Sequence, residues 1–190
     1  DYVLADGISL VFVNNLFSKN KISRHSFDFT SLAHEVFSSE YAKERKIALI
    51  GGKKTEVEDA KRVIEHSYLG LKICYTRSGY FNNDLEFDDL ISDLKSAEPD
   101  IIIVGAGTPL QENILLLLND KINFDVGFTC GGFISQISVN RNYFHPLLSK
   151  LHLRWFQRFL RHSYVRKRLL LDYPKFFVRF TFDILSGGKK

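Results

Sequence analysis

Pro99-Asp-Ile-Ile-Ile-Val-Gly-Ala-Gly-Thr-Pro-Leu-Gln-Glu112 lies near the centre of the 190-residue chain, and its reading decides the fold class. Asp100 leads into Ile101–Val104, a continuous apolar run. Strands of that kind are buried on both faces in the middle of a parallel sheet. Gly105-Ala-Gly107 interrupts the run. A helix is then expected from Pro109 to Leu118, because proline is well suited to a first helical turn.

Strand, glycine turn and helix repeat on either side. Lys46-Ile-Ala-Leu-Ile-Gly-Gly52 is a short apolar run ending in glycines. Thr55 is expected to cap a helix through Ser67, with Val57, Ala60 and Ile64 inward and Glu58 as the capping-box partner. Leu71–Tyr75 is the next strand. Asn83 or Asp84 starts a helix with Leu90, Ile91 and Leu94 inward, stopped before Pro99. Asp125–Cys130 is a further strand, followed by Gly131-Gly132. Asp1–Ala5 also reads as a strand, entered part-way, and the chain has no Met; a longer natural N-terminus is expected. Alternation of this type implies right-handed βαβ units and a three-layer, Rossmann-like α/β fold with a mostly parallel sheet.

In such folds ligands gather at the C-terminal ends of the strands. Gly51-Gly52, Ser78-Gly79-Tyr80, Gly105-Ala-Gly107 and Gly131-Gly132 all fall there. Glycine serves where backbone turns sharply or approaches a ligand closely. It also simply ends strands, and both readings stand at each position.

Composition excludes several classes. Apolar residues make up 45% and charged residues 25%, a globular mixture rather than a disordered one. No stretch approaches the roughly 18 apolar residues of a membrane span, and no cleavable signal peptide is visible. Cys74 and Cys130 lack disulfide-scaffold or metal-site spacing and read as buried thiols. Six scattered His residues give no zinc pattern. Gly105-Ala-Gly107 begins like a dinucleotide fingerprint, but Leu110 stands at its third glycine position. Gly51-Gly-Lys-Lys-Thr55 lacks the first glycine of a phosphate loop. No Asp-x-Asp pair stands at a strand end to hold a metal–diphosphate, so chemistry without an obligatory metal is expected.

The net charge of +4 is unevenly divided. The last 41 residues hold 11 of the 26 Lys and Arg, two of the 22 acids and nine of the 26 aromatics. The division suggests a body over residues 1–145 and a basic, aromatic extension over residues 146–190. On a helix from about 146 to 161, Lys150, Arg154, Arg158 and Arg161 form a basic stripe beside Leu148, Leu151, Trp155 and Phe159. A second helix, about 165 to 184, carries Phe176 and Phe177 with Arg166, Lys175 and Arg179 beside them. Basic amphipathic helices rich in aromatics lie in membrane interfaces. The plainer alternative is a helical pair packed on the body or on another subunit.

With these residues laid out, the chain resembles the TagA/CpsF/WecG bacterial glycosyltransferases, family 26. The stretch from Pro99 to Glu112 is similar to the family's central signature. Ala5-Asp6-Gly7, Arg24 with Phe27-Asp28, Leu49-Ile-Gly-Gly52, Gly79-Tyr80-Phe81, Gly131-Gly132-Phe133 and Leu153-Arg-Trp-Phe-Gln-Arg158 resemble its other elements, in order. The sequence departs from the pattern at three places. Ile134-Ser135-Gln136 replaces the usual Asp after the paired glycines, Phe144-His145-Pro146 replaces "RAP", and Arg154 replaces a Glu. The family's Thr/Asn motif lies N-terminal to the residues present.

The resemblance implies inverting, metal-independent transfer of a sugar, such as an N-acetylhexosamine, from a UDP-sugar to a polyprenyl-diphosphate-linked acceptor. It implies a peripheral protein on the cytoplasmic face of the cell membrane, working in cell-surface polysaccharide synthesis, with no cofactor beyond the donor. Asp6 is then the expected catalytic base, the alternative being an N-cap for a helix at Ile8–Leu16. Gly51, Gly79, Tyr80, Gly105, Gly107, Pro109, Gln111, Glu112, Gly131 and Gly132 are the expected substrate-binding set. The alternatives are a first-turn acid for Glu112 and a surface amide for Gln111. Arg158 or Arg166 is expected to reach the diphosphate. Lys150, Arg154, Trp155, Phe159, Arg161, Phe176, Phe177 and Arg179 are expected to meet an anionic membrane. Homo-oligomers fit the same reading. Two rivals are a non-catalytic nucleotide-sugar-binding or scaffolding subunit and a nucleic-acid binder; helical aromatic stripes and the lack of an RNA-binding motif count against the latter.

Overall fold

The structure, a computed structural model, describes Tyr2, residues 4–139, Phe156, residues 159–160 and residues 166–185. The chain divides into two compact units, Asp1–Tyr143 and Phe144–Lys190.

In the first unit, α1 (Ile8–Phe17), α2 (Leu32–Ser38) and α3 (Glu40–Lys43) precede an alternating series. That series is β1 (Lys46–Gly51), α4 (Lys54–Ser67), β2 (Lys72–Arg77), α5 (Leu85–Ala97), β3 (Ile101–Gly105), α6 (Leu110–Lys121), β4 (Val126–Thr129) and α7 (Phe133–Val139). The four strands form one wholly parallel sheet in the order β2-β1-β3-β4. Leu49 of β1 stands opposite Ile103 of β3 and Thr76 of β2. The connection from β1 runs outward to β2 and that from β3 runs outward to β4. The strand order therefore reverses between β1 and β3, where sheets of this class open their ligand crevice.

Period-two alternation sends β1 and β3 side chains to two separate cores. Ile47, Leu49, Ile101 and Ile103 pack with Val57, Ala60 and Ile64 of α4, Ile134 and Ile137 of α7, and Phe37 of α2. Ala48, Ile50, Ile102 and Val104 pack with Leu90 and Leu94 of α5 and Ile114 and Leu118 of α6. This makes the expected three layers. Each fully buried Ile or Leu contributes roughly 1.5–3 kcal/mol. On the α4–α7 side, Phe27 meets Phe128 at 5.4 Å and Phe133 at 5.3 Å between ring centroids, which fastens the segment before α2 to the sheet.

Several local expectations change. Among the described residues Leu4–Gly7 pair with no strand; the His25 N–H donates to the Ala5 carbonyl at 2.9 Å, and Arg24 binds Asp6. The cap of α4 lies two residues earlier than Thr55: the Glu56 carboxylate accepts the Lys53 N–H at 2.7 Å. Glu58 instead accepts the Thr76 hydroxyl at 2.6 Å, tying α4 to β2. Asp84 is the N-cap residue of α5 and makes no side-chain capping bond; the Asn83 side-chain oxygen, one residue earlier, accepts the Glu86 N–H at 3.2 Å. Pro109 stands just ahead of α6, which runs three residues past Leu118 to Lys121. Cys130 is buried, but Cys74 is only half-buried.

In the second unit a π-helical turn, Arg168–Asp172, leads into α8 (Tyr173–Leu185). No helix among the described residues is long and apolar enough to cross a membrane.

Candidate active site

The C-terminal rim of the sheet is a seam of backbone. The Gly52 N–H donates to the Gly105 carbonyl at 3.4 Å, and the Gly79 N–H to the Gly52 carbonyl at 2.9 Å. A Cβ on Gly51 would stand 2.6 Å from the Gly105 carbonyl oxygen, and one on Gly79 would stand 2.9 Å from Gly51 Cα. Gly51 is therefore required by the backbone of Gly105, and Gly79 by the backbone of Gly51. Gly107 and Gly131 differ: their φ angles are +78° and +54°, with open space where a side chain would project. These two residues let the turns after β3 and β4 bend at the seam.

Gln111 joins those two turns. It is only 6% exposed, so the surface-amide alternative does not hold. Its side-chain oxygen accepts the Gly131 N–H at 3.0 Å, and its amide donates to Glu112 Oε1 at 2.8 Å. Thr108 donates to the same oxygen at 3.2 Å. Glu112 Oε2 is buried and has no partner among the described residues. A buried carboxylate oxygen left unpaired in an otherwise satisfied network marks a place for a donor.

The turn after β2 is built on Arg77, whose side chain is 17% exposed. Its guanidinium donates to Glu86 at 2.9 Å and to the Ser78 carbonyl at 3.2 Å, and lies 4.1 Å from the Phe81 ring centroid. Phe81 stacks on Phe87 with centroids 4.2 Å apart. Hydrogen bonds from Asn82 and Arg77 hold the Glu86 carboxyl below the usual glutamate range. The result is a braced turn on which Tyr80 is 65% exposed. The N-termini of α4 and α6 open at the same rim, where helix dipoles favour anions.

Asp6 sits in none of these turns. It precedes α1 through Gly7, and Gly7, not Asp6, is the N-cap residue of that helix. Its carboxylate pairs with Arg24 at 2.6 Å, and Arg24 Nε also donates to the Asp6 carbonyl at 2.6 Å. Arg24 is three residues from Phe27, which packs on Phe133 at the foot of the β4–α7 turn. Three residues of chain reach about 10 Å, which limits how far Arg24 stands from that turn. The exposed pair adds little stability, about 0–1 kcal/mol.

The model of the Glycosyl transferase WecG/TagA/CpsF family matches residues 1–190. The chain belongs to this family of glycosyltransferases. It is 42% identical over 185 residues to a protein of Shigella boydii named UDP-Gal:alpha-D-GlcNAc-diphosphoundecaprenol beta-1,4-galactosyltransferase, covering 97% of this chain and 78% of the relative. It is 27% identical over 178 residues to a Bacillus spizizenii N-acetylglucosaminyldiphosphoundecaprenol N-acetyl-beta-D-mannosaminyltransferase, covering 93% and 66%. A Staphylococcus aureus protein of the same name is 24% identical over 159 residues, covering 84% and 61%. The chain thus spans between 61% and 78% of the length of these relatives.

On this glycosyltransferase, the structure brings together Gly51, Gly79, Gly105, Gln111, Glu112 and Gly131 at one rim, with Gly107, Pro109, Tyr80 and Gly132 on the same turns. Among the described residues, no hydrogen bond joins Asp6 to that rim. Arg166 is exposed and donates to the Leu160 carbonyl at 3.4 Å. Phe176 and Arg179 of α8 are exposed, and Phe177 is half-buried; Phe159 is half-buried and stacks with Phe156. Lys150, Arg154, Trp155, Arg158 and Arg161 lie outside the described residues. The sequence reading missed Arg24 as the partner of Asp6, the Arg77–Glu86 brace, and a bond from Ser135 to Glu56 (2.8 Å). Arg24 stood in a quoted motif, so its pairing was within reach. The other two join residues 9 and 79 positions apart and leave no local signal.

Proposed function

We propose that this glycosyltransferase moves galactose from UDP-galactose, with inversion and without a bound metal, to a sugar carried on a polyprenyl diphosphate. The reaction would take place at the cytoplasmic face of the cell membrane, in the assembly of a cell-surface polysaccharide. The observation that carries this reading is the 42% identity, over nearly the whole chain, to a relative whose name specifies a UDP-Gal donor, a diphosphoundecaprenol-linked acceptor and a β-1,4 product. Galactose is favoured over an N-acetylhexosamine because the mannosaminyltransferase relatives stand at 27% and 24%. Metal independence rests on the sequence, where no Asp-x-Asp pair stands at a strand end.

The chemistry assigns a task to each part. Asp6 removes the proton of the acceptor hydroxyl, whose oxygen forms a bond to the anomeric carbon. The bond from that carbon to the diphosphate oxygen breaks, and UDP leaves with the electron pair. Charge growing on the diphosphate is met by the N-termini of α4 and α6 and by backbone N–H groups of the rim. Glu112 Oε2 accepts from a donor hydroxyl, Gln111 keeps the two turns in register, and exposed Tyr80 offers a ring to the nucleoside.

The decisive experiment compares the wild type with Asp6→Asn in transfer from UDP-galactose to a polyprenyl-diphosphate-linked GlcNAc, with EDTA present throughout. General-base removal is expected to cost about 10²–10⁴-fold in turnover, with UDP affinity unchanged. Normal turnover in the variant would overturn the base assignment. Activity that vanishes in EDTA and returns with a divalent cation would overturn metal independence.

A further inference from the structure

The transferase carries a second carboxylate at the rim whose placement is fixed from two sides. Glu56 lies in the first turn of α4. Its Oε2 accepts the Lys53 N–H at 2.7 Å and the Ser135 hydroxyl of α7 at 2.8 Å. The fit is close: a Cβ on Gly52 would stand 2.8 Å from that oxygen and 3.0 Å from Ser135 Oγ. Glycine at position 52, with φ +60°, is what allows the carboxylate to lie against the seam. Among the described residues Oε1 makes no hydrogen bond, although its partner oxygen makes two. A helix cap needs one carboxylate oxygen and one N–H; the bond to Ser135, 79 residues away, goes beyond that need.

We propose that Glu56, positioned by Ser135, determines donor specificity by accepting hydrogen bonds from a vicinal diol, either the ribose of the leaving nucleotide or the sugar being transferred. A carboxylate with a free oxygen can take both hydroxyls of such a diol. This is the chemistry by which acidic side chains in α/β sheets read ribose. A site built to bind hydroxyls rejects analogues lacking them, because its own polar group is then left unpaired. The diol would lie between the β1–α4 and β4–α7 turns, on the α4–α7 side of the seam. This inference rests on the UDP-sugar reading given above.

The test uses the full chain and three probes: UDP, 2′-deoxy-UDP and UDP-galactose, by titration calorimetry and initial-rate kinetics. Glu56→Gln keeps an oxygen that can accept the Lys53 N–H, so the α4 cap survives. If the diol is the ribose, the wild type binds UDP at least tenfold more tightly than 2′-deoxy-UDP, and Glu56→Gln erases that preference. If the diol is on the sugar, UDP affinity is unchanged, while KM for UDP-galactose rises about tenfold with a smaller change in kcat. In either case the double variant Glu56→Gln/Ser135→Asp, which moves the carboxylate across the 2.8 Å bond, recovers a large part of the loss. A purely capping Glu56 would not respond in this way. Unchanged affinity and KM in Glu56→Gln, or no recovery in a double variant with wild-type melting temperature, would overturn the proposal while leaving the donor reading intact. Failure of the wild type to bind any uridine nucleotide would overturn both.

Discussion

Gly105 shows most directly how single residues shape this rim. A methyl group there would lie 2.8 Å from Cys130 Sγ and 2.8 Å from the Gly131 carbonyl oxygen. One neighbour is backbone and the other is buried, so neither yields easily. Gly105→Ala is expected to cost roughly 1–3 kcal/mol, a fall in melting temperature of about 2–10 °C for a chain of this size. Scanning calorimetry checks it; an unchanged melting temperature would mean the β3 and β4 turns separate freely. The same packing governs the thiols. Burial pushes the Cys130 thiol up to about 12 and raises that of half-buried Cys74. Iodoacetamide at pH 8 should therefore label Cys74 first in the native protein, as mass mapping would show. The rim glycines were legible in the sequence as strand ends. That three of them abut one another was not, because a residue without a side chain does not indicate which backbone it faces.

Among elements, the turn between β2 and α5 has the clearest dependence on pH. Its brace needs a charged Glu86, which hydrogen bonds from Asn82 and Arg77 hold below the ordinary glutamate range. A depressed folded-state pKa means stability present above the unfolded value, about 4.3, and lost as pH falls through the folded one. The melting temperatures of wild type and Glu86→Gln are therefore expected to differ above about pH 5 and to converge as pH falls below about 4. A difference constant across that range would show that the charge of Glu86 is not what holds the turn. The helices around the turn were readable from period and caps: Val57, Ala60 and Ile64 are the buried face of α4. Its start was misplaced because Glu56 and Glu58 both stand near Thr55. The Gly51-Gly52 turn at the seam fixes which one caps. Similarly, the apolar run ending at Leu118 hid a last polar turn of α6, which periodicity alone does not reveal.

At the scale of the whole molecule, the uneven charge bears on where the enzyme works. Tyr173, Phe176, Val178 and Phe182 of α8 are exposed large apolar side chains, with Lys175 and Arg179 exposed among them. Each basic residue near an anionic surface adds about 1 kcal/mol. The chain is expected to sediment with vesicles containing anionic phospholipid at low salt. Release is expected as salt approaches 1 M, where the screening length shortens to about 3 Å. Lys175→Glu/Arg179→Glu should weaken binding severalfold at low salt, and salt-independent binding, or none, would overturn electrostatic docking. The charge division was visible in the sequence from composition alone, whereas the π-helical turn before α8 was not, since no local pattern announces one. A different consequence follows from the two apolar cores on either side of the sheet. Because β1 and β3 are clad on both faces and flanked on both edges, their amide protons should be reachable by solvent only when the whole body opens. In heavy water, deuterium should enter β2 and β4 first and the inner pair last, at a rate that reports global unfolding.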